Sequence, residues 1–492
     1  MLWSTLALAG PVSLFLNDPR GRAGPTDGCA DPHCEALLDR LEGARTTIDF
    51  AVYGFRDQPA IVDALVAAQD RGVTVRGVVD ANADGVNYYT STAAVRARLG
   101  TVRTDEASDR DWVAAQRDFP YQPSCARPTG FDGPLQCLGY DLGDRCLLAA
   151  HASREPIVSD GRILHHKFFV VDGRTVWTGS TNVSDSGTGG YNANLVVTVD
   201  DPVVAGWYTH EFEQMYVHGR FHDDKEATPP RRWRVGGTAV TGLFSPTDRP
   251  ITRHLRPLLQ GARESIDVAV FFLTHKHLTA DLIAAHRRGV RVRVLLDATA
   301  AKNGYSKHEL LRAAGIPVKV EDWGGKMHAK AAAIDGTVLV TGSMNWTSAG
   351  EGGNDENTLL LHDPVLARQY ARWFDALWAD VDDRWLTDRP DPESLASGTS
   401  CTDGVDNDFD HRADGVDPGC RSDPPALPAL PPYRIVARTD GHDLIKGATV
   451  AGRRVWMGPR HPDYARTATD HWFCSRYDAE DAGYRRARGV SR

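Results

Sequence analysis

Two stretches of the chain alternate apolar and polar positions in the same way. LEGARTTIDFAVYGF (41–55) and LQGARESIDVAVFFL (259–273) each read as the end of a helix followed by a buried strand. RGVTVRGVVDA (71–81) and RGVRVRVLLDA (288–298) repeat the pattern with a second strand. Between them Ala60, Ile61, Ala64, Leu65 and Ala68 recur at helical spacing, and Val73, Val75 and Val78-Val79 then switch to strand character. Further on, KFFVVDGRTVWTGS and KAAAIDGTVLVTGS each read as an apolar strand, an Asp-Gly turn and a returning strand. Strands alternating with helices predict an α/β fold of two pseudo-symmetric lobes, each a mixed sheet flanked by helices.

This reading places lobe one at 10–245 and lobe two at 246–390, the first lengthened by an insert at 82–160. The insert holds three cysteines and many Pro, Gly and Asp residues, which suits a surface excursion or a lid over a functional face. After Trp385 the composition changes. A cysteine-bounded acidic loop (401–420) precedes the stiff LPALPP linker (427–432) and a small tail domain (433–492) with 12 Lys/Arg against 7 Asp/Glu.

Composition narrows the class without naming it. With 41% hydrophobic and 25% charged residues, the 492-residue chain is that of an ordinary globular protein. A net charge of −9 argues against a whole-surface nucleic-acid binder. No run of 18 apolar residues is present, so no spanning helix is expected. Eight cysteines without a C-x-x-C, including the close pairs 29/34 and 401/420, predict disulfides and a secreted or periplasmic home. Residues 1–9 read either as a signal remnant ending in Ala7-Leu8-Ala9 or as the approach to the first strand.

The chemistry lies in the repeated hairpin. Residues i and i+2 of a strand share a face, so His165 projects with Lys167, and His328 with Lys330. Asp172 and Asp335 complete the two catalytic sets, but their place at the turn suits organisers of the turn or charge network better than attacking groups. Ser180, Asn182, Ser343 and Asn345 follow the returning strands, where hydroxyl and amide groups reach towards the same spot. A lone His-x-Lys on a strand is usually a solvated face. Two copies with matching Asp, Gly-Ser and Asn, 163 residues apart, call for another account. Brought together, they supply two ammonium groups for the oxygens of a phosphate and two imidazoles on opposite sides of phosphorus. One imidazole serves as nucleophile and the other as general acid, with no metal cofactor for catalysis.

These motifs resemble the phospholipase D superfamily signature, H-x-K-x4-D followed by G-S-x-N. It stands as His165-His166-Lys167-FFVV-Asp172 with Gly179-Ser180-Thr181-Asn182, and as His328-Ala329-Lys330-AAAI-Asp335 with Gly342-Ser343-Met344-Asn345. The resemblance covers roughly residues 10–390. It implies two lobes around one shared active site, with His165 the nucleophile and His328 the general acid. Counting back from Asp201-Pro202 and Asp363-Pro364 sets Asn194 opposite Glu356. The family often has a residue there that orients an imidazole, so Glu356 is expected to support one histidine across the interface. His166 reads as a packing residue or a support behind the catalytic groups, not as a third catalytic imidazole. Both half-sites in one chain suggest a monomer.

The resemblance implies phospholipase D-type hydrolysis of phospholipid head groups, with transphosphatidylation as an allied reaction and peripheral membrane contact. GSMNWTSAG resembles the small nuclease and cardiolipin-hydrolase branch, and the tail resembles modules behind bacterial secreted nucleases. A secreted DNA/RNA endonuclease therefore stays open, as does a non-enzymatic phosphate-binding module. Trp112, Trp177, Trp207, Trp323 and Trp346 are candidates for a pocket wall or for core. In the acidic loop, Asp406, Asp408, Asp410, Asp414 and Asp417 occupy positions 1, 3, 5, 9 and 12 of a twelve-residue calcium loop. His411 replaces its glycine and Asp417 its glutamate, so the expectation is a structural calcium far from the phosphate site or a disulfide-closed acidic linker.

Overall fold

The computed structural model describes residues 10–118, 145–146, 161–227, 231–303, 306–421 and short stretches between 436 and 487. Residues 1–9, the LPALPP linker and Cys125, Cys137 and Cys474 lie outside the described residues.

Each lobe is built on one mixed sheet. Across lobe one the strands run in the order Val12–Leu16, Leu195–Asp200, Thr175–Gly179, Lys167–Val171, Thr47–Val52, Thr74–Val79, Val102–Thr104. Across lobe two they run Arg231–Val235, Thr238–Ser245, Glu356–His362, Val338–Gly342, Lys330–Ile334, Ser265–Val270, Arg291–Leu296, Val318–Val320. Apart from the extra edge strand Arg231–Val235, the two orders match one for one. In both lobes the last three strands are parallel and the remaining pairs antiparallel.

This topology corrects two expected boundaries. Lobe two begins near residue 231, not 246, because Thr238–Ser245 pairs antiparallel with Glu356–His362 and carries the Arg231–Val235 hairpin with it. Gly236, at φ +57, makes that tight hairpin turn possible. The insert also begins later than 82. Val102–Thr104 pairs parallel with Thr74–Val79, as Val318–Val320 pairs with Arg291–Leu296, so residues up to 104 belong to the repeated unit.

The sheets are joined by a common core. One apolar cluster contains Phe168, Leu195, Tyr208 and Phe212 of lobe one with Ala331, Leu359, Tyr370 and Phe374 of lobe two. Each lobe also has its own core on the outer face of its sheet. The helices Pro202–Tyr216 and Pro364–Asp380 feed the shared core. Each starts at an Asp-Pro pair, with Asp201 accepting from Val203 and Val204 and Asp363 from Val365 and Leu366. Trp177 and Trp346 are fully buried core, Trp323 is buried in the shared cluster and Trp207 packs against it.

The two motif aspartates sit at the hairpin turns. Asp172 accepts from the backbone N–H groups of Arg45, Thr46 and Thr47, and Asp335 from those of Arg263, Glu264 and Ser265. Each pins a turn to the start of the neighbouring antiparallel strand. Lys167 stands five residues away, about 16 Å of extended chain. Their inclusion in the catalytic sets is therefore corrected: they are structural clasps that do not touch the reacting atoms. The substitutions Asp172→Asn and Asp335→Asn are each expected to lower stability by about 1–3 kcal/mol. Urea unfolding measures that loss, while kcat at a temperature where the variants stay folded should match the parent.

Candidate active site

Strand exchange between the lobes assembles the site. Leu164 bridges in parallel to Asp355, and Ala193 to Met327. Through these bridges the His165 N–H donates to the Asp355 carbonyl at 2.9 Å, and the His328 N–H to the Ala193 carbonyl at 3.0 Å. The next residue of each receiving strand meets the imidazole. His165 Nδ1 lies 2.8 and 2.9 Å from the two oxygens of Glu356, and His328 Nδ1 lies 3.1 Å from Asn194 Oδ1. Each histidine is thus oriented by the opposite lobe, and Nε2 is the ring nitrogen left for a substrate.

The serines of the motif complete these clasps. Ser343 Oγ donates to Glu356 Oε2 at 2.7 Å, and Ser180 Oγ to Asn194 Oδ1 at 2.8 Å. Each serine also accepts a strand N–H, from Asn357 and Leu195 respectively. The preceding glycines are required by space. A Cβ on Gly179 would come within 2.1 Å of the Leu195 carbonyl oxygen, and one on Gly342 within 2.2 Å of the Asn357 carbonyl oxygen. Ser180, Ser343, Asn194 and Glu356 are expected near the substrate, Glu356 as the support of one histidine. In the structure Glu356 and Asn194 Oδ1 hold the imidazoles and the two serines hold them in turn, while Asn194 Nδ2 is buried without a hydrogen-bond partner among the described residues. Asn182 donates to the Tyr89 hydroxyl at 2.9 Å. The Oδ1 atoms of Asn182 and Asn345 are buried without a hydrogen-bond partner among the described residues.

The lysines are buried beside their histidines. Lys167 Nζ donates to the His165 carbonyl at 2.8 Å, and Lys330 Nζ to the His328 carbonyl at 2.6 Å. Burial pulls the Lys167 ammonium down to about 7 against the attraction of Glu356 and Asp80. Burial and then the charge of Lys167 hold Lys330 well below the usual lysine range. Burial likewise pushes Glu356 up to about 8, against the pull of Lys167. Both imidazoles are held well below their ordinary value, first by burial and then by the two lysines. The two inter-lobe bridges and the crossed hydrogen bonds set both motifs at one junction of the lobes. Without substrate the cleft resists charge. A phosphodiester anion supplies the countercharge that the lysines lack.

Several contributing residues escape a motif search. Tyr53 meets His165 edge-on at 5.7 Å, and Phe271 takes the matching place 5.1 Å from His328. Tyr88 and Tyr89 extend the aromatic group around Tyr53, with Tyr88 exposed. Behind the His165 side lies a buried ionic chain. His166 Nε2 is 3.1 Å from Glu211, Lys225 pairs with Glu211, and Lys225 Nζ lies 2.6 Å from Asp355. His166 is a buried polar member of this chain, behind the catalytic groups. Only the repeat register hinted at Tyr53 and Phe271, which are equivalent positions in the aligned 41–55 and 259–273 stretches.

The acidic loop is closed by a Cys401–Cys420 disulfide, and a second disulfide joins Cys29 and Cys34. Oxygens of Asp408, Asp410 and Asp417 converge, as do those of Asp406 and Asp408 with Glu393, a residue outside the loop. This all-carboxylate donor set suits a hard cation such as calcium, and His411, at φ +72, adopts the turn for which glycine was expected. Asp414 lies in neither group, and its carboxylate accepts from the Gly404 N–H. The loop docks on Lys326, two residues before His328, whose ammonium bonds to the Asn407 carbonyl and faces the Phe409 ring at 5.1 Å.

Paired His-Lys motifs closing from two lobes over one cleft define a phosphodiesterase scaffold. The chain belongs to the phospholipase D superfamily: a family described as "Cardiolipin synthase, PLD-like domain" matches residues 37–122, 141–216 and 255–378. It is a phosphodiesterase-type hydrolase of that superfamily. The mitochondrial cardiolipin hydrolase of Xenopus laevis is 38% identical over 148 residues, spanning 30% of this chain and 70% of that protein. A phospholipase D of Rickettsia bellii is 36% identical over 149 residues, 29% of this chain and 74% of the other. Among solved structures, the family member Nuc of Salmonella typhimurium matches 30% of this chain and 97% of its own at 24% identity, with a TM-score of 0.28. The phosphatidylserine synthase of Haemophilus influenzae matches 71% of this chain and 85% of its own at 13% identity, with a TM-score of 0.46.

The lysine environment fixes a pH dependence. The Lys167 ammonium is charged below about pH 7 and loses its proton above it. The kcat/KM for a phosphodiester monoanion is expected to fall as pH rises through that value. A profile flat from about pH 6 to about pH 9 would contradict it.

Proposed function

We propose that the chain hydrolyses phospholipid head-group esters in the manner of phospholipase D, through a phosphohistidine on His165. The crossed clasp carries the mechanistic part of this reading. With its Nδ1–H directed to Glu356, His165 presents the Nε2 lone pair to phosphorus. As the N–P bond forms, the ring gains positive charge, which draws Glu356, held up to about 8 by burial, into the carboxylate form that offsets it. His328 rests on a neutral amide that cannot take its proton, so its Nε2–H goes to the departing alcohol oxygen as the P–O bond breaks. Water then attacks the phosphohistidine, giving its proton to His328 Nε2 and expelling His165. The two ammonium groups stabilise the equatorial oxygens throughout. No step calls on a metal ion. A short-chain alcohol in place of water would give head-group exchange.

The lipid preference rests on two supports. Relatives at 36–38% identity are named cardiolipin hydrolase and phospholipase D. The aromatic group reaching from Tyr53 beside His165 to exposed Tyr88 and Val86 also offers an apolar rim to a lipid surface. Among the described residues no helix is long and apolar enough to cross a membrane, so the contact proposed is peripheral. Two disulfides favour an oxidising compartment, secreted or periplasmic. One chain holding both half-sites favours a working monomer.

Purified protein assayed in parallel on phosphatidylcholine or cardiolipin vesicles and on plasmid DNA tests the reading. Lipid turnover that survives EDTA and vanishes in His165→Ala is expected, with the drop about 10²–10⁴-fold or more. Cleavage of DNA alone would transfer the activity to the nuclease branch, and turnover in neither would leave a phosphate-binding module. The roles separate by trapping. With a nitrophenyl phosphodiester, whose leaving group needs no acid, His328→Ala should accumulate acid-labile phosphoenzyme and His165→Ala none. The reverse pattern would exchange the two assignments.

A further inference from the structure

A second buried cluster lies beside the nucleophile side of the cleft. Asp105 precedes the helix Glu106–Asp118, Asp109 lies in its first turn, and His222 opens the short turn His222–Asp224. All three side chains are fully buried. From the geometry we infer that Asp105, Asp109 and His222 form a binding site for a divalent transition-metal ion such as zinc, separate from the phosphate site and structural in role.

The distances favour an ion over direct hydrogen bonds. His222 Nε2 lies 3.6 Å from Asp105 Oδ2 and 3.5 Å from Asp109 Oδ1, beyond the span of a good N–H···O bond. Two ligands each about 2.0 Å from a tetrahedral zinc stand roughly 3.3 Å apart, close to these separations. Asp105 Oδ2, Asp109 Oδ2 and both ring nitrogens of His222 are buried with no hydrogen-bond partner among the described residues. The carboxylates are anchored as well: Asp105 Oδ1 accepts from the Ala81 N–H at 2.7 Å, and Asp109 Oδ1, the oxygen that faces His222, accepts at its other side from the Arg162 N–H at 3.2 Å. Behind the imidazole, Asp355 Oδ2 stands 3.2 Å from Nδ1, where a carboxylate orients a metal-binding histidine.

Charge points the same way. Buried Asp80 adds a carboxylate beside Asp105 and Asp109. The nearby cations are already engaged, Lys225 between Glu211 and Asp355, and Arg162 with Asp223. Uncompensated buried carboxylates are costly, and a dication offsets them. An imidazole with carboxylates is a donor set that zinc accepts. The three ligands come from lobe one and Asp355 from lobe two, where its carbonyl holds the His165 N–H. A bound ion would therefore brace the strand contact that positions the nucleophile.

Elemental analysis of the full chain, equilibrated with zinc and then dialysed against metal-free buffer, tests the site. About one zinc per chain is expected to remain, with a melting temperature on the order of 5 °C above that of the stripped protein. The double variant Asp408→Asn/Asp410→Asn, which disarms the acidic loop, should keep that zinc. Asp109→Asn and His222→Gln should lose it while retaining a folded circular-dichroism spectrum. Cobalt(II) in the wild type should give visible d–d bands, and this readout decides if both variants fail to fold. No retained zinc and no such bands in the wild type, or zinc kept by folded Asp109→Asn and His222→Gln, would overturn the site in favour of an imidazolium caged by carboxylates.

Discussion

Neither imidazole of this protein is positioned by its own lobe. His165 depends on Glu356 and the Asp355 carbonyl, and His328 on Asn194 and the Ala193 carbonyl. The constraint reaches outward from there. The glycines must stay bare so that the Glu356 and Asn194 strands approach closely. The serines must follow them to hold the carboxyl and the amide. The motif aspartates must fasten the hairpins so that the lysine ends of the strands keep their register. A lobe alone has a histidine and a lysine but no partner for the ring. The shared apolar core keeps the halves together, and it does so next to the two most buried ammonium groups of the site.

The departure from symmetry matters as much as the symmetry. Glu356 and Asn194 occupy the same register, seven residues before an Asp-Pro helix start, yet one is ionisable and the other is not. A carboxylate steadies a cationic ring. An amide leaves the opposite ring a stronger acid. Two identical clasps would make two similar imidazoles. The single exchange gives them different surroundings on a nearly twofold scaffold.

Much of this was legible because the chain states it twice. Matching spacings of His, Lys, Asp, Gly-Ser and Asn gave both halves of the site, and the count back from Asp201 and Asp363 gave Asn194 and Glu356. What the repeat could not give was direction. Ser180 and Ser343 follow the strand as predicted, but whether a hydroxyl meets substrate or imidazole depends on a neighbouring strand far away in sequence. Topology hid the lobe boundary: Thr238–Ser245, second from the edge of its sheet, is contributed to lobe two before its helix begins and is the counterpart of Val12–Leu16. The residues that occur once were the least visible. Lys225, Asp355 and His222 gain meaning only when the lobes bring them together, and Glu393 joins the acidic loop from outside its cysteine bounds.

The cost of that arrangement explains the polar mass behind the cleft. Lys167, Lys330, Glu356 and two histidines are all buried, and burial works against charge on every one. Such a cluster keeps its geometry only if the backbone carrying it cannot relax. The Leu164–Asp355 bridge carries the Glu356 side, and Asp355 is gripped by Lys225 and by the His222 N–H. The Ala193–Met327 bridge carries the other. There Asn192 Oδ1 accepts the Lys326 N–H at 2.9 Å, and the Lys326 side chain is held by the acidic loop. One bridge is braced by a buried ionic chain and the other by a disulfide-closed loop. The loop thus belongs to the support of the active site even though it follows both catalytic lobes in sequence.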